Sequence, residues 1–244
     1  RDGLRNVLKN NQTQEVIVAT LENGVRFCMY PEGRHRPAHS LQTLGKGTFR
    51  AALAANAKFG DKMPVYIVPT GIEYGDYFRY RSTSLVTFGK PINVTEFVKS
   101  QNVENEVQLI EPLRKELAAR MSELITYIKD DEHLYEKWAL TKMLAVDKGL
   151  MYGNFGTSLH DGMLANREIV ADIEKTCDEH PEVMDGIFEK IEKFEKKRKK
   201  KGISIYSFRK KNNALNITGK TLSALIGLPY WIFSAIISAP MWLV

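Results

Sequence analysis

Apolar residues in the first ninety positions fall into short runs that predict a compact unit of helices and strands. From Gln12 to Asn23 they fit a short helix, and Asn23-Gly24 is a favourable C-terminal cap because glycine tolerates the left-handed turn. Three runs have the length and the β-rich content of strands: VRFCMY (25–30), PVYIVPTGI (64–72) and STSLVTFG (82–89). We expect the first two of these strands to be buried.

The segment between the first two strands has helical spacing over positions 41–58. Its apolar stripe consists of Leu44, Phe49, Ala52 and Leu53. Gly45 and Gly47 each cost a helix about 1 kcal/mol relative to alanine. Their presence therefore indicates a close neighbour at the first turn.

After Val94 the pattern becomes helical, with almost no strand signal. Helical spacing covers positions 103–129, 132–148 and 168–201, and a loop rich in Gly, Asn and Ser occupies 149–162. The last residues, Thr221 to Val244, are uncharged and long enough to cross a bilayer. Pro229 and Pro240 leave two forms open, a kinked helix that spans the membrane or an interfacial hairpin.

Charge narrows the choice of partners. The formal net charge of +6 favours anionic partners. The runs KKRKKK (196–201) and RKK (209–211) precede the apolar tail, as in segments that bind anionic lipid from the cytoplasmic side.

Cys28 and Cys177 form neither a disulfide framework nor a metal-ligand spacing, which indicates a reducing compartment. No signal peptide is visible at Arg1, and we expect further residues to precede it.

Pro31 ends the first predicted strand, so that Pro31-Glu32-Gly33 lies at its carboxyl end, where open α/β sheets bind ligands. Arg34 and Arg36 then present guanidinium groups suited to phosphate. We interpret His35 and His39 as loop histidines that add modest positive charge. Taken alone, Pro-Glu-Gly is also typical of an ordinary acidic turn.

Three stretches in order resemble motifs of the glycerolipid acyltransferase family, whose members acylate glycerol 3-phosphate or lysophosphatidate with an acyl thioester. They are Tyr30-Pro31-Glu32-Gly33, Lys46-Gly47-Thr48-Phe49 and Val68-Pro69-Thr70-Gly71-Ile72. The resemblance covers residues 1–94. RDGLRNVL (1–8) looks like the junction after an earlier motif, which would make Arg1 that motif's arginine. One departure is His35, at a position that is often arginine in the family.

The resemblance implies an O-acyltransferase of phospholipid biosynthesis with lysophosphatidate as acceptor and acyl-coenzyme A or acyl carrier protein as donor, without cofactor or metal. It implies that the substrate is bound by Glu32, Gly33, Arg34, Arg36, Arg1 and Lys46. The family's base is the histidine of His-x-x-x-x-Asp, which belongs before Arg1. Within the chain only His180 and Asp185 have this spacing, and their place in the charged helical region indicates chance. We therefore expect residues 1–244 to be inactive alone.

The predicted fold is α/β, an acyltransferase-like mixed sheet with flanking helices, followed by a mostly helical region and a hydrophobic membrane-associated segment. The predicted boundaries are 1–98 for the C-terminal portion of the α/β domain, 99–205 for the helical region and 206–244 for the basic linker and membrane segment. We expect membrane lipid as a partner, at the cytoplasmic face, and no nucleic acid.

Other functions stay open. The acceptor is glycerol 3-phosphate in one alternative. In others the chain is a non-catalytic membrane protein or a basic protein that binds nucleic acid. The basic runs lack interleaved aromatic residues, and no recognition module is visible. The absence of Gly-x-Ser-x-Gly, P-loop and Gly-x-Gly-x-x-Gly motifs argues against serine hydrolases, nucleotide hydrolases and Rossmann folds.

Overall fold

A computed structural model describes most of the chain. The described residues are 2–34, 36, 38–75, 82–101, 103, 105–129, 131–147, 158–203, 205 and 214–242, with side chains omitted at 2–11, 106, 146–147, 214–216 and 240–242. The chain forms two compact units, Arg1–Lys197 and Arg198–Val244. Helices predominate and the strands are few and short. The predicted boundary near residue 98 stays a prediction.

The first unit begins with two helices packed against each other, α1 (Asp2–Glu22) and α2 (Lys46–Phe59). Helix α1 starts ten residues before the predicted position and ends as expected, with Gly24 in the left-handed conformation (φ 74°). The predicted stripe of α2 is confirmed: Leu44, Phe49, Ala52 and Leu53 are all buried. Helix α2 starts at Lys46 and not at Leu41 because residues 41–45 run along the preceding loop.

Four strands form two antiparallel pairs. Strand β1 (Tyr66–Ile67) pairs with β4 (Ile92–Asn93), and β2 (Thr70–Tyr74) pairs with β3 (Ser84–Phe88). The predicted break at Pro69 is confirmed, since Pro69 is buried between β1 and β2 and its carbonyl accepts a hydrogen bond from Gly89 N at 2.8 Å. The strands thus follow each other as two stretches of one antiparallel ribbon.

The prediction of a buried strand at positions 25–30 is wrong. These residues have no regular secondary structure and pair with no described strand, and Val25, Phe27 and Tyr30 are exposed. A strand needs a neighbour to satisfy its backbone donors and acceptors. The residue types were those of a strand, but no described segment lies beside this one as a partner.

The helical half contains α3 (Val94–Gln101), α4 (Glu106–Ser122), α5 (Leu134–Asp147), α6 (Leu159–Glu179) and α7 (Pro181–Lys200). The helix predicted over 168–201 is in fact two helices, divided at His180 because Pro181 has no N–H to continue the ladder. The loop predicted over 149–162 ends too late, because helix α6 already begins at Leu159. Ser158 caps this helix by accepting a hydrogen bond from Asp161 N at 3.0 Å. Residues 148–157 lie outside the described residues.

Among the described residues, three apolar clusters hold this unit together, and the smallest consists of Ile128, Leu134 and Val170. The first packs α2 and α4 around Phe49 and Leu113, both fully buried, with Val65 and with Ile92 of β4. The second joins α5, α6 and α7 through Ile169, Ile173 and Phe188. The second unit consists mainly of one long helix, α8 (Ala214–Trp242).

A buried lysine links α5 to α6. Lys137 is 5% exposed, and its Nζ donates to Asp131 Oδ2 at 2.6 Å and to both oxygens of Glu174, at 2.9 and 3.0 Å. Burial lowers the pKa of Lys137, but the two carboxylates outweigh it and the pKa is raised overall. The ammonium group therefore stays charged in the folded state.

We expect Lys137→Met to lower the free energy of unfolding by about 3 kcal/mol, because two carboxylates would lose the partner that compensates them. Urea unfolding of the full chain in detergent, followed by circular dichroism, measures this. The matched control is Lys193→Met, which removes an exposed pair with Glu189 on α7 and should cost about 0.5 kcal/mol. Equal losses in the two variants would contradict the role given to the buried network.

Candidate functional site

The Pro-Glu-Gly loop is a tight turn held by its own backbone. Gly33 N donates to the carbonyl of Tyr30 at 3.1 Å, and Gly33 adopts a left-handed conformation (φ 64°). Other residues adopt this conformation at a cost of about 1 kcal/mol or more, which explains the glycine. The turn reverses the chain directly after the exposed segment 25–30.

Three hydrogen bonds fasten the turn to the residues that lead into α2, and we call them the loop clasp. Gly45 N donates to the carbonyl of Pro31 at 2.7 Å, Gln42 N donates to Glu32 Oε2 at 3.0 Å, and Gln42 Nε2 donates to the carbonyl of Arg34 at 3.0 Å. A Cβ atom at Gly45 would lie 3.2 Å from the Pro31 carbonyl oxygen. The expected close neighbour at this glycine is therefore confirmed, whereas Gly47 has open space around it.

Cationic side chains occur in the loop that the clasp fastens and at the first position of the helix that follows it. Arg34 is exposed, Arg36 is half-buried, and Lys46 is exposed at the first position of α2. The first turn of α2 contains no acidic residue, and Gly45 supplies no side-chain cap. A helix N-terminus attracts anions, and guanidinium groups bind phosphate oxygens. The arrangement can therefore bind an anion at an open surface.

The predicted site residues fall into two groups. The loop clasp brings Glu32, Gly33 and Arg34 together with the segment that leads to Lys46, and Arg36 follows two residues on. The role of Glu32 is structural within this group, because its carboxylate orients the backbone N–H of Gln42. The side chain of Arg1 and the whole of His35 lie outside the described residues.

A second cluster of polar groups, which the sequence analysis did not find, lies under the helices. His39 Nδ1 is 3.5 Å from Glu73 Oε1, and Glu73 Oε2 accepts a hydrogen bond from Thr126 N at 3.0 Å. The His39 ring packs against Trp138 at a tilt of 34° with centroids 3.6 Å apart, and Lys142 lies over the same indole. The cluster joins the loop, β2 and α5.

The environment of His39 corrects its predicted role as a positive loop residue. Burial, with a smaller contribution from the charge of Lys142, lowers the pKa of His39 to about 4, against an opposing hydrogen bond with the Thr126 backbone. The imidazole is therefore neutral at pH 7 and a weak general base. Burial likewise raises the pKa of Glu73, although the Thr126 N–H opposes it.

Other histidines also have local partners. His133 stacks on Phe188 with centroids 4.6 Å apart, and its Nε2 lies 3.7 Å from Asp185 Oδ1. Asp185 thus faces His133, in keeping with the view that its spacing from His180 is chance. His160 and Asp161, placed in a loop by sequence, belong to the first turn of α6, with Nδ1 and Oδ1 3.8 Å apart. Among the described residues, no group of three or more His, Cys, Asp or Glu is placed to hold a metal ion.

One face of the β2–β3 pair is apolar and open. The cross-strand neighbours Ile72 and Val86 are exposed, as are Tyr74 and Phe88 on the same face. The opposite face is closed, because a Cβ at Gly71 would lie 2.7 Å from the Leu124 backbone oxygen. Exposed apolar side chains grouped in this way are typical of an interaction surface.

No protein-family model, curated protein or solved structure matches the chain. The function must therefore be argued from the chemistry of the described residues.

The buried histidine predicts a pH-dependent stability. Because its pKa is about 4 in the folded chain and 6.5 in its ordinary state, the stabilisation present above pH 6.5 is lost as the pH falls towards 4. From pH 7 to pH 4.5, the wild type should lose about 2 kcal/mol more than His39→Gln in urea unfolding. The exposed His160→Gln variant is the control and should follow the wild type.

The contribution of Glu73 to stability should change with pH in the direction opposite to that of His39. The raised pKa of Glu73 stabilises the fold below its ordinary value of 4.5, and this contribution disappears as the pH rises through the folded pKa. Relative to Glu73→Gln, the wild type should therefore lose stability on going upwards from pH 4.5. Parallel pH profiles for wild type and both variants would contradict the assignment of this cluster.

Proposed function

We propose that the chain belongs to an O-acyltransferase of phospholipid synthesis that transfers a fatty acyl group from an acyl thioester to the hydroxyl of lysophosphatidate. The donor in this proposal is acyl-coenzyme A or acyl carrier protein. In the reaction, a base takes the proton of the acceptor hydroxyl, the oxygen attacks the thioester carbonyl, and the thiol leaves. The acceptor phosphate takes no part in these bonds and serves to hold the substrate.

The loop clasp is the observation on which the proposal rests. It fixes a left-handed glycine turn against the residues that lead into α2, and Arg34 and Arg36 follow this turn in the chain. An ordinary acidic turn, the simplest alternative, would leave the carboxylate of Glu32 in solvent. Here that carboxylate instead accepts a backbone hydrogen bond while Arg34 remains exposed. The arrangement favours an anion as the ligand.

In this proposal, each side chain has a separate task. Arg34 and Arg36 bind the phosphate oxygens, and Lys46 with the first N–H groups of α2 adds to the positive potential. Glu32 and Gly33 hold the loop in shape. Arg1 contributes a further cation to the acceptor.

The catalytic histidine and aspartate come, in this proposal, from outside residues 1–244. His39 is a poor substitute because its imidazole is packed against Trp138 and has a pKa of about 4. The open face around Ile72, Val86 and Phe88 is where the proposal places the part of the enzyme that supplies them. The apolar side chains of segment 25–30 would be covered by the same part.

Membrane attachment agrees with a lipid substrate. Helix α8 is long and apolar enough to cross a membrane, and its apolar window is unburied in the structure. We place the enzyme at the cytoplasmic face because the basic runs precede this helix. An acceptor with one acyl chain would be dissolved in that bilayer.

Contacts on α7 disfavour the nucleic-acid alternative. Lys193 and Lys196 form ion pairs with Glu189 and Glu192 one turn earlier, at 3.1 and 2.5 Å. Carboxylates along the same face would repel a phosphate backbone. These pairs support a solvated helix surface.

In a chain that includes the His-x-x-x-x-Asp segment, we expect Arg34→Ala to lower kcat/KM for acyl transfer to lysophosphatidate about 10- to 100-fold, since a charge-assisted hydrogen bond is worth about 1.5–3 kcal/mol. Glu32→Ala should lower it similarly by releasing the loop clasp. The control is Lys62→Ala, which removes an exposed cation beyond the far end of α2. Activity in both test variants equal to that of the control would contradict the role of the loop.

Purified residues 1–244 should show no acyl transfer to glycerol 3-phosphate or lysophosphatidate. The expectation follows from the weak basicity of His39 and from the helical surroundings of His180. A radiolabelled acyl-coenzyme A assay with both acceptors measures it. Turnover by this chain would place the base within the described residues and overturn this part of the proposal.

A further inference from the structure

Helix α8 has the surface of a helix that lies in lipid. Ile217–Ala239 forms a window of 23 residues with a mean hydropathy of 1.7, none of which is buried. Its successive residues Trp231, Ile232 and Phe233 are all exposed, although neighbours on a helix point about 100° apart. Apolar side chains therefore cover most of the circumference, and the polar and small residues Lys220, Ser223, Gly227, Ser234 and Ser238 form one narrow stripe. A helix that lies flat on a membrane surface needs a strongly charged face, whereas the charge in this window is limited to Lys220 near its start.

Two hydroxyl groups of α8 have hydrogen-bond partners within the helix. Thr221 Oγ1 donates to the carbonyl of Ile217 at 2.9 Å, and Ser238 Oγ donates to the carbonyl of Ser234. In hydrocarbon, an unsatisfied hydroxyl is costly and no water is present to relieve it. Hydroxyls bonded back to the preceding turn need no external partner and are compatible with lipid.

The length of the uncharged segment matches one bilayer crossing. Lys220 is the last charged residue before this segment, and residues 221–244 carry no charged side chain. Twenty helical residues from Thr221 extend about 30 Å, which is the thickness of the hydrocarbon core. Tyr230 and Trp231 lie near the middle of this stretch, so that Lys220 and not the aromatic residues marks the boundary.

The structure also distinguishes between the membrane-spanning helix and the interfacial hairpin that the sequence left open. A hairpin would need a turn near Pro229, but α8 continues as one helix from Ala214 to Trp242. Proline is tolerated inside membrane helices, where neighbouring groups relieve the lost hydrogen bond. The continuous helix favours a single crossing.

We propose that α8 crosses the membrane once, with Lys220 at the cytoplasmic boundary and Val244 on the opposite side. The orientation follows from charge, since Lys196–Lys201, Arg209–Lys211 and Lys220 all lie on the N-terminal side of the apolar stretch. Basic residues near a membrane helix remain on the cytoplasmic side. In this proposal, the exposed surface of α8 is in contact with the hydrocarbon of a bilayer. The inference stands independently of acyl transfer.

Labelling of single cysteines tests the topology in the full chain. In a Cys28→Ser, Cys177→Ser background, Asn212→Cys and Val244→Cys are treated with a membrane-impermeant maleimide in right-side-out and inside-out vesicles. We expect Asn212→Cys to react only in inside-out vesicles and Val244→Cys only in right-side-out vesicles. Reaction of both from the cytoplasmic side, or the reverse pattern, would overturn the proposal.

Alkaline carbonate extraction provides an independent readout. The wild type should stay in the membrane pellet, whereas Ile226→Arg with Ile232→Arg should lower the pelleted fraction at least twofold. The matched control places two arginines beside Lys220, Gly219→Arg with Thr221→Arg, and should behave as wild type. Release of the wild type, including release as an oligomer that hides α8 between copies, would overturn the single crossing. The expected topology without any preference for lysophosphatidate over monoacylglycerol would contradict only the proposed function.

Discussion

The hydrogen bond from Gly45 N to the Pro31 carbonyl is the constraint on which the candidate site depends. It joins a turn that has no described strand neighbour to the start of a stable, buried helix. Backbone groups in such a turn must find partners, and the residues before α2 provide them. Phe49 and Leu53 anchor α2 in the first apolar cluster. The turn is held in position because it is bonded to the residues that precede this helix. The backbone that carries Arg34 is then held against the residues that lead into α2.

The buried polar groups of the first unit serve a different purpose. Lys137 with its two carboxylates and Glu73 with His39 and Thr126 each tie helices to other segments. Their shifted pKa values arise chiefly from burial or close pairing. Perturbed titration is common at catalytic sites but equally follows from structural pairs. Here the packing of His39 on Trp138 supports the structural interpretation.

Local signals in the sequence were sufficient for several elements. The stripe of α2, the break at Pro69 and the cap at Gly24 follow from periodicity, proline chemistry and glycine conformation, all of which act over a few residues. The division at His180-Pro181 had such a signal, because proline is favoured at the first position of a helix, but the charged periodicity on both sides obscured it.

Other features depend on contacts between distant residues. Positions 25–30 have strand-forming residues, yet a strand exists only beside a partner. His39 and Glu73 meet although 34 positions separate them, and no spacing rule predicts the bond between Glu32 and Gln42. The candidate site could thus be located from the motif Pro-Glu-Gly, whereas the clasp that gives it shape could not.

The central claim is that the clasped loop binds the phosphate of a glycerolipid acceptor. Isothermal titration calorimetry of residues 1–244 in detergent, with a short-chain lysophosphatidate and with the matching monoacylglycerol, tests it without requiring turnover. The account predicts that the phosphate-bearing ligand binds at least tenfold more tightly and that Arg34→Ala removes most of this difference. Equal affinities for the two ligands, or a preference that Arg34→Ala leaves unchanged, would contradict it.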